Sequence, residues 1–321
     1  MSASVRLLFL GSGGFAVPAL ERLAADPAIR IVGVVAAPDR PAGRGGALRS
    51  VPVARRAREL GLPLLQPAGV RDEATIHAIA ALAPEVGVLA DFGRLVPAAL
   101  LDLPPHGILN LHPSLLPRHR GASPIPATIL AGDPETGVTV IRMDPGLDTG
   151  PIVAARRWAL DGTETTPELE VRAAAVAAEL LAETLPAWLA GTLRAIPQDD
   201  PEATLTRPLR REDGRLDPAL PAARLERAVR ALQPWPGSFV EAAAGRLVVW
   251  AAHVAPAEPS ETAGAAAGAV GTLVAAGRAL ALVTAEGRLV LDEVQLEGRR
   301  RMGGEELLRG HGARLLGSRV G

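Results

Sequence analysis

The fold class this sequence predicts is α/β: a domain built on a parallel sheet, followed by a smaller β-barrel domain. Two patterns point to it. Over the first half, apolar runs alternate with amphipathic stretches, as in βαβ units. After a polar stretch at 196–211 that carries three prolines, one amphipathic helix precedes short apolar runs separated by glycines, as in a small antiparallel barrel. At 321 residues the chain is also too long for one ordinary core, so two domains are expected.

The elements follow in order. Residues 5–10 and 31–36 are read as buried strands, with a helix over 16–25 between them. A helix over 52–59 and a short strand at 62–65 come next, then a helical stretch at 74–82 and a strand at 86–89. Two more strands are expected at 107–112 and 137–143. A long Ala/Leu/Glu helix over 168–189 starts after Thr165-Thr166-Pro167, a fair N-terminal signal. The stretch 196–211 is read as a linker. Beyond it, a helix over 219–232 precedes strands near 246–253, 271–275, 279–284 and 288–296. The Ala/Gly-rich spacer 256–268 is read as a loose loop.

Composition narrows the classes of function. Thirty-four basic residues against 35 acidic ones give a net charge of −1, with 48% hydrophobic and 21% charged residues. That excludes a disordered or collagen-like chain. The absence of cysteine removes disulfides, thiol nucleophiles and Cys-based metal sites, and cytoplasm is the simplest compartment. No stretch is apolar enough over sufficient length to span a bilayer, and the run Leu7–Leu10 is too short for a secretion signal. Every basic residue is Arg and Tyr is absent, a bias of coding rather than of function. The same bias leaves a single asparagine, Asn110.

Charge is unevenly spread. Residues 30–58 hold seven arginines and one acid, Asp39, a stripe suited to a polyanion or to a solvated helix face. Gly11-Ser12-Gly13-Gly14-Phe15-Ala16 fits G-x-G-x-x-A between a strand and a helix, so a dinucleotide is one reading, with Asp39 as its ribose partner. The other reading is a tight βα turn that any such sheet needs.

Ile108-Leu109-Asn110-Leu111-His112 is more informative. Alternation puts Asn110 and His112 on one face at a strand end, and Pro113 stops the pairing there. An amide donor beside an imidazole suits acyl transfer, since it stabilises an oxyanion and moves a proton. The loop 143–150 carries Asp148. If that carboxylate reaches His112, it is expected to hold the ring and raise its pKa. The six histidines are scattered, and no metal site is expected.

Taken together, Asn110-Leu111-His112-Pro113-Ser114-Leu115-Leu116-Pro117-Arg118, Arg120-Gly121-Ala122 and Gly146-Leu147-Asp148-Thr149-Gly150 resemble the folate-dependent formyltransferases. Within that superfamily the sequence is similar to the methionyl-tRNA formyltransferase family. Pro38-Asp39-Arg40-Pro41-Ala42-Gly43-Arg44-Gly45 looks like its basic insertion loop, and Pro234-Trp235-Pro236 and Val248-Val249-Trp250 match its second domain.

The resemblance implies a Rossmann-like formyltransferase domain at 1–195, a linker at 196–211 and an OB-like tRNA-binding domain at 212–321. It implies transfer of a formyl group from 10-formyltetrahydrofolate, as cosubstrate, to the α-amine of initiator methionyl-tRNA, by a cytoplasmic monomer. Asn110, His112 and Asp148 are the implied catalytic residues. Ser114, Leu115, Leu116 and Pro117 are the implied tetrahydrofolate-binding stretch, and Arg40 and Arg44 the implied tRNA contacts.

Some positions differ from the family pattern. Pro208 stands where a lysine is expected, with Arg207, Arg210 and Arg211 as candidate substitutes. Asp91-Phe92-Gly93 stands for Ala-Tyr-Gly, and His119 replaces an aromatic. The alternatives are a related enzyme formylating a small amine such as an amino-sugar nucleotide or glycinamide ribonucleotide, an NAD-dependent oxidoreductase, and a tRNA-binding module without catalysis.

Overall fold

The structure, a computed structural model, describes residues 4–42, 47–255 and 268–320. They form two compact units. The first comprises Met1–Pro124, Glu135–Ala159 and Leu169–Arg207; the second comprises Ile125–Pro134, Leu160–Glu168 and Pro208–Gly321. The spacer read as a loose loop lies almost wholly outside the described residues.

The first unit is built on a seven-stranded sheet. Its strands are β1 (Val5–Gly11), β2 (Ile29–Val35), β3 (Leu64–Leu65), β4 (Val86–Ala90), β5 (Ile108–His112), β6 (Glu135–Arg142) and β7 (Ile152–Ala159). The order is β7-β6-β5-β4-β1-β2-β3. Strands β1 to β5 pair in parallel, whereas β6 and β7 run antiparallel, so the expected parallel sheet is mixed at one edge. Leu7, Leu8, Phe9 and Leu10 are all fully buried, which explains why β1 reads as an unbroken apolar run: both faces of a central parallel strand are covered.

Helices α1 (Val17–Ala24), α2 (Pro52–Glu59) and α3 (Glu73–Ala80) connect the parallel strands. Pro52 opens α2 at the position where a missing N–H costs nothing. One face of the sheet packs Leu8, Leu10, Val35, Leu89 and Ile108 against Ile79, Phe92 and Leu100. Helix α4 (Thr166–Leu189) follows β7.

The stretch read as a linker is largely structured. Ile196 bridges Ile152, and Leu205–Thr206 forms a short parallel pair with Arg120–Gly121. Residues 196–207 therefore belong with the first unit.

In the second unit an antiparallel sheet runs in the order β8-β9-β12-β11-β10, with β8 Ser238–Ala242, β9 Gly245–Val254, β10 Leu273–Ala276, β11 Ala279–Val283 and β12 Arg288–Leu296. Met302–Gly303 adds a short strand beside β12. Helices α5 (Ala222–Ala231) and α6 (Gly304–Leu315) contribute Leu225, Val229, Leu307 and Leu315 to a core with Leu247, Val249, Leu280 and Leu291. No helix among the described residues is long and apolar enough to cross a membrane.

Close backbone approach fixes Gly137 in β6. A Cβ there would stand 2.4 Å from the Arg156 carbonyl oxygen of β7 and 2.3 Å from Leu115 Cδ2. Gly137→Ala is expected to destabilise the first unit by about 1–3 kcal/mol, the usual cost of overpacking. Gly310→Ala, in open space on α6, is expected to be neutral or stabilising by up to about 1 kcal/mol. Thermal unfolding of the two variants beside the parent checks both signs.

Candidate active site

The site forms where β5 ends. Asn110 pairs with Leu89 of β4 and Ile141 of β6, and His112 pairs with Thr139, so both side chains leave one face of a strand held on both sides. Both are buried, Asn110 at 6% exposure and His112 at 4%. Ends of strands in open α/β sheets are where such folds place their ligands.

Asp148 completes the group. Asn110 Nδ2 donates to Asp148 Oδ1 at 3.1 Å, and the backbone N–H of Gly121 donates to Asp148 Oδ2 at 2.9 Å. His112 Nδ1 lies 3.6 Å from the same Oδ2. His112 Nε2 is 2.9 Å from the carbonyl oxygen of His119. A carbonyl only accepts, so Nε2 carries the proton and the neutral ring presents its Nδ1 lone pair towards Asp148.

The expected pKa shift of His112 is reversed. Asp148 does favour the charged ring, as does the His119 carbonyl, but loss of hydration on burial outweighs both and pushes the pKa below its ordinary value. The ring is therefore a neutral base at physiological pH, with a carboxylate in place to stabilise it once protonated.

Asp148 itself adopts φ +52, a left-handed conformation that costs a non-glycine residue free energy. It is held there by Gln198, whose Nε2 donates to the carbonyls of Asp148 at 2.8 Å and Gly150 at 2.7 Å. Gln198 Oε1 in turn accepts from Arg120 Nε and Nη2 at 2.9 and 2.8 Å, and Arg120 Nη2 pairs with Asp200 at 2.7 Å. Gly121, at φ +110, lies so close to Thr206 that a Cβ would stand 2.4 Å from its carbonyl oxygen. Gln198, Asp200 and Thr206 were not singled out from the sequence, because they fall in the polar stretch read as a linker. Only the topology brings them under the site.

The stretch 114–117 follows directly. Ser114 is fully buried and its Oγ donates to the Arg118 carbonyl at 2.6 Å. Thr139 Oγ1 donates to the Ser114 carbonyl at 2.7 Å and accepts from Leu116 N at 3.1 Å, while the Leu115 side chain packs against Gly137. Ser114 thus braces the turn, and Leu115 and Pro117 are the half-buried members of the stretch. Arg40 is exposed in a short hairpin pairing Arg40–Ala42 with Ala47–Arg49. Arg44 lies outside the described residues.

The dinucleotide reading fails on geometry. The N–H groups of Ser12 and Gly13, which would face a pyrophosphate, both donate to the Asp91 carbonyl at 3.0 and 3.1 Å. A Cβ on Gly13 would overlap the Asp91 carboxylate, at 1.6 Å from Oδ2. That carboxyl is pushed up to about 6 by lost hydration and by the charge of Glu170. Asp39, the candidate ribose partner, is already bound to Ser50 at 2.8 Å, Gln66 at 2.7 Å and Arg58 at 3.0 Å. Arg55 and Arg56 likewise pair with Glu59 and Glu21, so much of the basic stripe is a solvated, internally paired face. Among the described residues no three His, Asp or Glu side chains cluster to hold a metal ion.

Fold and site together fit an α/β enzyme of the acyl-transfer kind, with Asn110 and His112 buried and Asp148 half-buried beside them at a strand end. Known proteins give the particular family. The formyl transferase model matches residues 5–185 and the formyl transferase C-terminal domain model matches 208–312. The methionyl-tRNA formyltransferase of Roseiflexus castenholzii is 43% identical over 96% of both chains, and that of Thermus thermophilus 44% identical over 99% of both. A solved N-formyltransferase from Helicobacter canadensis, in complex with folinic acid and dTDP-3-aminofucose, shares the fold at a TM-score of 0.64. It is 13% identical and covers 89% of this chain and 98% of its own. The chain belongs to the formyl transferase family, in its methionyl-tRNA formyltransferase branch.

Following the His112 ring protons by NMR checks the electrostatics. The midpoint is expected below the ordinary histidine value of about 6.5, and Asp148→Asn is expected to move it lower still, because the carboxylate is the main group opposing burial. Folding stability should then fall as pH drops below about 6.5, since the unfolded chain binds that proton more readily. A midpoint above 6.5 would contradict the burial argument.

Proposed function

We propose that this chain transfers the formyl group of 10-formyltetrahydrofolate to the α-amino group of initiator methionyl-tRNA, giving the formylmethionyl tRNA that starts translation. The observation that carries the reading is Asp148: one carboxylate gathers the Asn110 amide and the Gly121 N–H and lies beside the His112 ring. Similarity over nearly the full length to relatives named for that activity supports it.

The residues divide the chemistry as follows. The methionyl amine attacks the formyl carbon, a C–N bond forms, and the carbonyl oxygen gains negative charge. Asn110 keeps one N–H on Asp148 and directs its second N–H to that oxygen. His112 Nδ1 takes the proton lost by the amine, and Asp148 stabilises the imidazolium so formed. As the bond to the folate nitrogen breaks, His112 returns the proton to that nitrogen. The ring ends neutral, as it began.

On this reading Ser114, Leu115, Leu116 and Pro117 form the wall of the tetrahydrofolate site, Ser114 by bracing the turn. Arg40, exposed on its hairpin, and Arg44 meet the tRNA. The catalytic domain takes in residues 196–207 of the stretch read as a linker, and the OB-like tRNA-binding domain covers 212–321. The protein acts as a cytoplasmic monomer, without a metal.

Transfer of labelled formyl to purified initiator methionyl-tRNA, with uncharged tRNA and free methionine as controls, tests the reaction. Label is expected only with charged tRNA. Asn110→Ala is expected to lower kcat about 10²–10³-fold while remaining folded, the usual effect of losing one oxyanion donor. Absence of transfer with folate binding intact would move the assignment to a small amine acceptor. Near-normal turnover by the variant would remove Asn110 from its role.

A further inference from the structure

The second unit exposes an indole. Trp235 is 54% exposed, although large apolar side chains normally find cover. It is flanked by Pro234 and Pro236, which restrict its backbone. It lines a recess of about 230 Å³, with room for one planar ring, together with Arg211, Phe239, Arg246 and Val248.

The walls of that recess are selective. Arg246 lies with its guanidinium carbon 4.0 Å from the centre of the Phe239 ring, and its charge is met by Glu241 at 2.6 Å. Arg211, by contrast, is exposed and has no ion-pair partner among the described residues. On β9, the strand of Arg246 and Val248, Trp250 carries Arg301 3.4 Å above its ring and donates Nε1 to Gln295 at 3.1 Å. Aromatic rings alternating with guanidinium groups on an open sheet face are a stacking platform with counter-charge, the combination that holds nucleotides.

Another recess, of about 670 Å³, is less apt. Its His253 is paired with Asp292 at 2.8 Å and its Arg278 with Glu305 at 3.8 Å, so those charges are already met.

We propose that the Trp235 recess takes one unpaired base of the RNA substrate, stacked on the indole, with a neighbouring phosphate against Arg211. The inference rests on the reading of the formyl acceptor as a tRNA. Stacking reads a π-face rather than a sequence, so the pocket adds affinity and register, and discrimination among bases is weak.

Affinity of the full-length protein for initiator tRNA, measured over a range of salt, tests this alongside the KM for methionyl-tRNA. Trp235→Ala is expected to weaken tRNA binding about tenfold, the loss of one base–aromatic stack, and to raise KM more than it lowers kcat. Trp235→Phe should restore most of the affinity. Arg211→Gln should lower the slope of log affinity against log salt by about 1. Parent-like affinity in a folded Trp235→Ala protein, with formylation of methionyl-tRNA by the parent intact, overturns the pocket alone. If Trp235→Ala does not fold, an unchanged salt slope in Arg211→Gln overturns it instead. A parent that neither binds tRNA nor formylates methionyl-tRNA overturns the function and this inference together.

Discussion

The carboxylate of Asp148 is the point on which the first unit turns. It accepts from a side chain on β5 and from the backbone N–H of Gly121 in a separate short strand, and it lies beside the ring that ends β5. To reach them, Asp148 must sit in a left-handed conformation, which costs about 1 kcal/mol or more. The Gln198–Arg120–Asp200 chain offsets that cost with hydrogen bonds, several of them charge-assisted and each worth about 1 kcal/mol or somewhat more. Arg120 is buried, Gln198 and Asp148 are half-buried, and Asp200 closes the chain at the surface; such a chain holds its members to narrow tolerances, as the proposed stabilisation of developing charge requires.

Burial sets the chemistry of that centre. Withdrawn from water, His112 resists protonation at rest, yet it is placed against a carboxylate that favours the charged ring. The two influences oppose one another, which keeps the ring neutral and able to accept a proton without making imidazolium inaccessible. Either influence alone would fix the ring in one state. Asp91 and Glu170, a pair of carboxylates in the same unit, illustrate the opposite case: lost hydration and like charge add, and Asp91 holds its proton to about pH 6.

What the sequence revealed and what it hid follow from how local each signal is. β1 and β5 were legible because continuous apolar runs, a terminal proline and side-chain alternation are local properties. Asn110 and His112 were legible for the same reason, and Asp148 through the turn that carries it. β7 was missed because an edge strand of Ala and Arg, buried on one side only, has no clear alternation. Helix α6 was missed because Gly304, Gly310 and Gly312 mask its periodicity. The direction of the His112 shift depends on burial, which is set by strands far apart in sequence. Gln198 and Thr206 were illegible altogether, since a polar, proline-bearing stretch looks like a linker until it pairs with Arg120–Gly121.

The most direct test of the central claim is a double-mutant cycle on kcat between Asn110→Ala and Asp148→Asn, the latter keeping shape while removing charge. If the carboxylate and the amide act as one unit, the double variant should be about as slow as the slower single variant, with an interaction energy well above 0.5 kcal/mol. Effects on log kcat that simply add would mean the two residues work independently, and that the network around Asp148 is scaffolding rather than the catalytic device.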